Sequence, residues 1–581
     1  MGSELEGATV APTMNAQQLA KTLFELATSG LGKHSKLSCS MMSELERAVV
    51  MLAPTMNSGD LRTALWAFAT LAWQAEPIQT ALEGATVRLA PIMTSQEVGD
   101  SLWALATLGW QAGEDSMRFA LEGAAVRVAP SMNAQEVVNT LWALATLGWR
   151  CGEGSVRCAL EGAAVRVAPI MNAQHVANTL WAAATLRWEA GAGSMWSALE
   201  GAVVRLAPGM NERHVANTLW ALATLLWPME SLTKSVLKKA VAGVALRMNV
   251  QAVASTLWGL AVLGWQADRD MAAAFKHRCS LMGKAATPRQ ELMAAGPSSP
   301  TVLAEAEPME LCTKDLSQLL QAHLASHLLG LHLVTLPSSI LLPAVQAYRE
   351  QTRNATVSNG QREVADSLCR LGIAHELEYI TADGLFSIDL AIVDRRIAVE
   401  FDGPSHFTVN SLEPLGRTHL RHRLISAIGW LVVSIPFFEW DRFRQSNEQD
   451  AYVWSRVDSG RATEYAQPEP MPHMGVLQTG ALVDDPAHVN SASRASRRSQ
   501  KGNDSSERSL AFIAQNVRGL SATKLECLFE LMTQSCVYAA VITETKRYAE
   551  SDAVEYPREQ GTFLVFYHGS EVAGRCGRPL A

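Results

Sequence analysis

Along the first 275 residues apolar positions fall three and four apart, the period of a helix buried on one face. The pattern itself returns: tryptophans stand at 66, 103, 142, 181, 220 and 258, each followed seven residues later by Trp73, Trp110, Trp149, Trp188, Trp227 and Trp265. The clearest copy reads Asn139-Thr140-Leu141-Trp142-Ala143-Leu144-Ala145-Thr146-Leu147-Gly148-Trp149, and a worn copy carries Phe24 in the first Trp position. A recurrence of 37–39 residues means stacked supersecondary units, none able to bury its apolar face alone. From Phe386 the period changes to two, and Phe386 to Val393 and Arg396 to Phe401 read as a strand pair turning at Asp394-Arg395.

Each repeat predicts two helices. The first begins at a Met-Asn pair, where Asn133 caps and Glu136 closes the box. The second, such as Ser155 to Val167, stops at a recurring Ala-Pro (Pro91, Pro130, Pro169, Pro208), because proline cannot continue a helix. The expected fold is mainly α: an α-solenoid of about seven helix hairpins over 1–275, a linker over 276–310, a helical bridge over 311–380, a small α/β domain over 381–457, a disordered linker over 458–508 and a last fragment over 509–581.

A helical wheel through Trp142 puts Val137, Leu141, Leu144 and Leu147 on the packed arc, and Gln135, Glu136, Asn139, Ala143 and Thr146 on the other. Trp142 stands at the edge of the second sector and is assigned, with Trp149, to the frame between repeats. The packed positions stay constant while the polar ones change: Gln96, Glu97 and Asp100; Gln135, Glu136 and Asn139; Gln174, His175 and Asn178; Arg213, His214 and Asn217. A constant frame with variable polar positions suits a modular reader of a polymer, and it equally suits solvated positions that drift.

The motif Asn-Thr-Leu-Trp-Ala-Leu-Ala-Thr-Leu at this period resembles the octotricopeptide repeat of organellar RNA-maturation factors, over residues 10 to 275. The resemblance implies selective binding of single-stranded RNA along the concave face, in the mitochondrial matrix or the chloroplast, with the variable first-helix positions as contacts and other RNA-processing proteins as partners. Charge departs from this pattern, because the repeats are close to neutral and the chain carries a net −8.

In the α/β region a two-residue turn sets Ala391 against Ala398 and Asp389 against Glu400, with Asp402 on the same face as Glu400. Three clustered carboxylates suit Mg²⁺ or Mn²⁺, hard ions that prefer oxygen, and such an ion can activate water at a phosphodiester. His406 follows in an exposed turn, and Arg421 and Arg423 lie on a basic helix that could meet phosphates. Ile397-Ala398-Val399-Glu400-Phe401-Asp402-Gly403-Pro404-Ser405-His406-Phe407, with Gly429-Trp430 and Ser434-Ile435-Pro436, resembles the RAP domain, an RNA-binding module similar in fold to restriction and Vsr-like endonucleases. The resemblance places Asp389 and Glu400 on that fold's acidic positions, with Asp402 where the family has lysine and His406 or Arg421 as substitutes. Two functions follow, RNA binding without a cofactor or Mg²⁺-dependent cleavage at Asp389, Glu400 and Asp402. A protein scaffold is a third.

Beyond residue 509 the expectation is a strand over 510–517, a helix over 522–533 and a strand over 538–543. Asn516-Val517-Arg518-Gly519-Leu520 and Glu544-Thr545-Lys546 resemble the opening of a retrotransposon-type endonuclease/exonuclease/phosphatase domain, which implies a vestigial Mg²⁺ site at Asn516 and Glu544. So short a piece cannot close that family's two-sheet sandwich. No run of 18 apolar residues suggests a membrane span, and nine cysteines without metal spacing suggest a reducing compartment. The opening Leu5-Glu6-Gly7-Ala8 matches Leu121-Glu122-Gly123-Ala124, so the chain is expected to begin inside a repeat, with no visible presequence.

Overall fold

The computed structural model describes residues 14–29, 39–110, 115–149, 154–189, 193–286, 311–354, 356–409, 411–443 and 445–462, and beyond these only strands at 512–516, 539–545, 552–558 and 561–569. It is mainly helical, with helix hairpins followed by a small four-stranded sheet. The first helices are Ala16–Thr28, Ser58–Leu71, Ser95–Leu108, Ala134–Thr146, Ala173–Thr185, Glu212–Thr224 and Val250–Val262. The second helices are Cys39–Leu52, Glu76–Leu89, Asp115–Val128, Ser155–Val167, Ser194–Leu206, Ser231–Val244 and Arg269–Ala286. First helices of successive repeats lie side by side in one row, and second helices in another.

Local chemistry sets the starts of the first helices and the ends of the second. Asn15, Asn57, Thr94 and Asn133 cap first helices in full capping boxes, and Asn172, Asn211 and Asn249 cap without the return bond, because the third helical residue is His175, His214 or Ala252. Each cap stabilises its helix by about 1 kcal/mol. Second helices end in short 3₁₀ turns that hold the predicted prolines, for example Ala90–Ile92 and Ala168–Ile170. First helices end in a left-handed residue before the second tryptophan: Gly109, Gly148 and Gly264, but Ala72, Arg187 and Leu226 elsewhere. Glycine meets that geometry without strain.

The second tryptophans are buried as the frame, Trp188 at 1% exposure and Trp73, the most exposed of the six, at 7%. A second, polar frame runs beside them. Arg88 donates to the carbonyls of Ala53 (3.2 Å) and Met56 (2.9 Å) in the preceding repeat, and Arg127 to Ala90 (3.1 Å) and Met93 (2.7 Å). Arg166 reaches Ala129 and Met132 in the same way, and Arg205 reaches Ala168 and Met171. These carbonyls sit in the 3₁₀ turns, where helical partners have run out. One guanidinium per repeat adds a donor to the long 3₁₀ bond at the alanine carbonyl and supplies one to the methionine carbonyl.

The linker begins later than expected, because the helix Arg269–Ala286 continues through its first eleven residues; residues 287–310 lie outside the described residues. Thr313–Leu328 then extends the first-helix row, with Trp258 Nε1 donating to Gln321 (2.8 Å). With Ser338–Arg353 it closes the end of the row, as a terminal pair should.

The α/β domain contains the helix Asn359–Arg370, strands β1 (Glu376–Ile380), β2 (Ser387–Ile392), β3 (Ile397–Asp402) and β4 (Leu431–Pro436), and the helices Gly416–Ala427 and Ser446–Ala462. The sheet order is β1-β2-β3-β4. The predicted register holds, with Ala391 opposite Ala398. The turn is longer than two residues: Val393–Arg395 form a 3₁₀ turn and Arg396 is left-handed, so Val393 does not pair with Arg396. β4 runs parallel to β3, with Glu400 beside Ser434. Val364, Leu368, Leu390, Val399, Ile435 and Trp440 lead its core. The helix Ser446–Ala462 carries the domain past the expected boundary at 457.

A separate sheet joins β5 (Phe512–Asn516), β6 (Ala539–Thr545), β8 (Gly561–Gly569) and β7 (Asp552–Arg558) in that order. Two of its strands were expected, and the hairpin β7–β8 was not. The expected helix over 522–533 and most of the expected linker over 458–508 lie outside the described residues.

Candidate nucleic-acid interface

The row of first helices exposes one stripe per repeat. In the fourth repeat Gln135 and Thr146 are exposed, Asn139 and Trp142 half-buried, and Ala134, Val137, Val138, Thr140, Leu141, Ala143, Leu144 and Ala145 buried. Positions four, seven and eleven beyond Gln135 share a helix face, so Trp142 stands inside the solvent-facing stripe. Two expectations change here. Trp142 belongs to the open face, not to the frame, and Ala143 belongs to the packed face. The same half-burial holds for Trp66, Trp103, Trp181 and Trp220, until Trp258 is covered at 5% exposure.

The predicted contacts divide. Glu136 turns back to the Asn133 amide (2.9 Å) and closes a capping box. Glu97 does the same at Thr94 (2.8 Å) and accepts from Ser58 (2.9 Å); burial pushes its carboxyl up, but the hydrogen bonds from Thr94 and Ser58, with the Arg62 charge, carry it below its ordinary value. Asp100 pairs with Arg62 at 3.1 Å. Gln135 donates to Asn139 (2.7 Å) and accepts from His175 (3.1 Å), which joins two repeats. Partial desolvation lowers the pKa of His175 and of His214. Gln96, Gln174 and Arg213 are exposed, and Asn178 and Asn217 half-buried. Among the described residues the carboxamides of Asn178 and Asn217 have no hydrogen-bond partner.

In the α/β domain the three predicted carboxylates separate into two clusters. Glu400, whose side chain is 4% exposed, binds Arg421 at 3.0 Å. Asp389 accepts from the Phe401 amide (2.9 Å); desolvation, then repulsion by Glu400, raises its pKa. Burial opposes the Arg421 charge, but Glu400 outweighs it and the guanidinium pKa is raised. Asp402 points elsewhere. It accepts from His406 Nδ1 (2.8 Å) and Ser434 Oγ (2.5 Å), with His422 Nε2 at 3.6 Å. Burial pushes the Asp402 carboxyl up, but His406, His422 and Ser434 together hold it below its usual value.

This arrangement does not suit Mg²⁺. A hard cation needs several carboxylate oxygens turned to one point, and here an arginine, a histidine and a serine take those oxygens. Among the described residues no three acidic, histidine or cysteine side chains come close enough to hold a metal. Of the far pair, Asn516 lies opposite Thr543, the residue before Glu544, on parallel strands.

Arg423 is not free for phosphate. Its Nη1 donates to the carbonyls of Ala261 (3.3 Å) and Val262 (3.1 Å), the open end of the last repeat's first helix. Residues the sequence did not single out complete this joint. Arg187 donates to the Pro404 carbonyl (2.6 Å) and accepts at its own carbonyl from the Val409 amide (2.9 Å). Gly416 lies so close to the repeats that an added Cβ would stand 2.0 Å from the Ala223 carbonyl oxygen. The α/β domain therefore seats on the C-terminal ends of three successive first helices, where carbonyls carry partial negative charge and cations are favoured. The sequence signal was Arg187 itself, an arginine where the third, fourth and seventh repeats have glycine.

A comparison with known families matches the RAP domain over residues 399–455. The chain contains a RAP domain. Over 96 residues it is 42% identical to the chloroplastic RAP domain-containing protein of Oryza sativa subsp. japonica, a stretch that covers 16% of this chain and 15% of that relative. The match begins inside β3 and takes in His406, the Gly416–Ala427 helix and β4, so the RAP domain contributes both the Asp402 cluster and the joint to the repeats. No helix among the described residues is long and apolar enough to cross a membrane.

Proposed function

We propose that the protein binds single-stranded RNA in an organelle, chloroplast or mitochondrion, through the stripe of its first helices. The RAP domain fixes one end of that row and contributes to binding. The observation that carries this reading is the stripe: a polar residue, a second polar residue, a half-buried tryptophan and a threonine return on one face in successive repeats. A single-stranded chain offers bases to aromatic rings and base edges to carboxamides. The chloroplastic relative supports the organelle.

Binding is favoured over metal-dependent cleavage because Glu400 is paired with Arg421 and the Asp402 oxygens are held by His406 and Ser434. Crosslinking the protein in cells and sequencing the bound RNA tests the proposal. Organellar transcripts with one short footprint are expected, and recovery of none would end it. Asp389→Ala assayed with Mg²⁺ on a bound transcript should leave that transcript's length unchanged.

A further inference from the structure

Resting on that reading, we propose that Trp142, Trp181 and Trp220 are stacking platforms for three successive bases, whose edges are read by Asn139, Asn178 and Asn217. Because the three pairs are identical, these repeats select a run of three like bases. An indole and a carboxamide three residues apart project from one helix face, so a base stacked on the ring brings its edge to the amide. The amide offers a donor and an acceptor together, the pattern that a base edge complements.

Spacing favours this arrangement. Among the described residues no ring–ring contact joins Trp142, Trp181 and Trp220, whereas Phe24 and Trp66 at the start of the row touch at 5.2 Å. Packed helices stand about 8–10 Å apart. A base between two rings needs about 7 Å, two carbon contact distances. That spacing leaves room for a base beside Trp142 and Trp181, and at Trp220 the Lys314 ammonium already lies over one ring face.

The recurring Asn–Trp pair places the guest on repeats four to six. Their stripe positions hold no carboxylate: Gln135, Gln174 and Arg213 precede the three asparagines, and the Lys314 ammonium stands 5.6 Å from the Trp220 ring centroid. In the third repeat the equivalent of Asn139 is Asp100, already tied to Arg62. In the seventh, Trp258 is buried beneath Gln321. Continuous stacking thus ends at the terminal helix pair.

The test uses the full chain and fluorescein-labelled RNA 12-mers of A, C, G or U, read by anisotropy and by quenching of tryptophan emission. One homopolymer should bind at least tenfold more tightly than the others and quench the indoles. Trp142→Leu and Trp181→Leu should each weaken it by about tenfold, the scale of one lost base stack, and Trp142→Phe by less than about threefold. If a leucine variant fails to fold by circular dichroism, Asn178→Asp decides, since its amide holds nothing in the free protein; the homopolymer preference should fall by about tenfold. RNA binding that is equal for all four homopolymers, or unaffected by these changes, overturns the stacking proposal and leaves the RNA-binding reading standing. Absence of any RNA binding, with a protein captured on the stripe instead, overturns both.

Discussion

Arg187 donates to the carbonyl of Pro404 at 2.6 Å from a left-handed backbone position that glycine fills in the third, fourth and seventh repeats. A non-glycine residue there costs about 1–2 kcal/mol, so the contact it makes has to offset that strain. Arg187→Gly should relieve the backbone and loosen the RAP domain together. Hydrogen exchange should quicken at residues 404–423 with the repeats unchanged; unaltered exchange there would show that the contact contributes nothing.

Gly416 tests the same joint by steric means. The Ala223 carbonyl belongs to a packed helix and cannot move aside, so Gly416→Ala must push the RAP domain away from the repeats. A loss of at least 2 kcal/mol in denaturant unfolding is expected, on the scale of overpacking. Gly403→Ala is the control, because nothing lies within 4 Å of its added carbon. Equal stability of the two variants would refute the joint.

Arg421 neutralises Glu400, and without it a buried carboxylate remains beside Asp389. Arg421→Ala should cost about 3 kcal/mol, the low end for breaking a buried pair. Adding Glu400→Gln should recover more than half of that loss. A double variant as unstable as the single one would mean that arginine packing, and not charge, is what matters.

The arginine frame predicts a repeat-by-repeat cost. Arg127→Leu removes the donor of the Met93 carbonyl and leaves the Ala90 carbonyl only the long bond from the Met93 amide, and should lose about 1.5 kcal/mol. Lys21→Leu, which removes an exposed pair with Glu25 at 3.8 Å, should lose less than about 0.5 kcal/mol. Thermal melts of the two variants check the difference.

His323 is 1% exposed, and burial with repulsion from His327 lowers its pKa to about 4. The unfolded chain takes up this proton near pH 6.5 and the folded chain only near 4. Stability is therefore full above about pH 6.5 and declines as pH falls toward 4, by an amount on the order of 3 kcal/mol. His323→Leu should flatten melting temperature against pH in that window. An unchanged slope would assign acid sensitivity to other groups.

Much of this molecule was legible in the chain because its determinants are local. The 37–39-residue period, Asn caps, Ala-Pro stops and the alternation around Ala391 and Ala398 are all read within a few residues of where they act. What the sequence could not settle was the partner across space. Trp142 and Trp149 differ by seven residues and look alike, yet a left-handed turn between them sends one to the open stripe and the other to the core. Asp402 shares a sheet face with Glu400 by parity, but Ser434, His406 and His422 decide where its oxygens turn. Arg423 reads as a phosphate contact until the end of a helix more than 150 residues earlier is brought beneath it. Periodicity acts through the backbone and survives in one dimension, whereas the pairing of side chains is chosen by whatever the fold places opposite them.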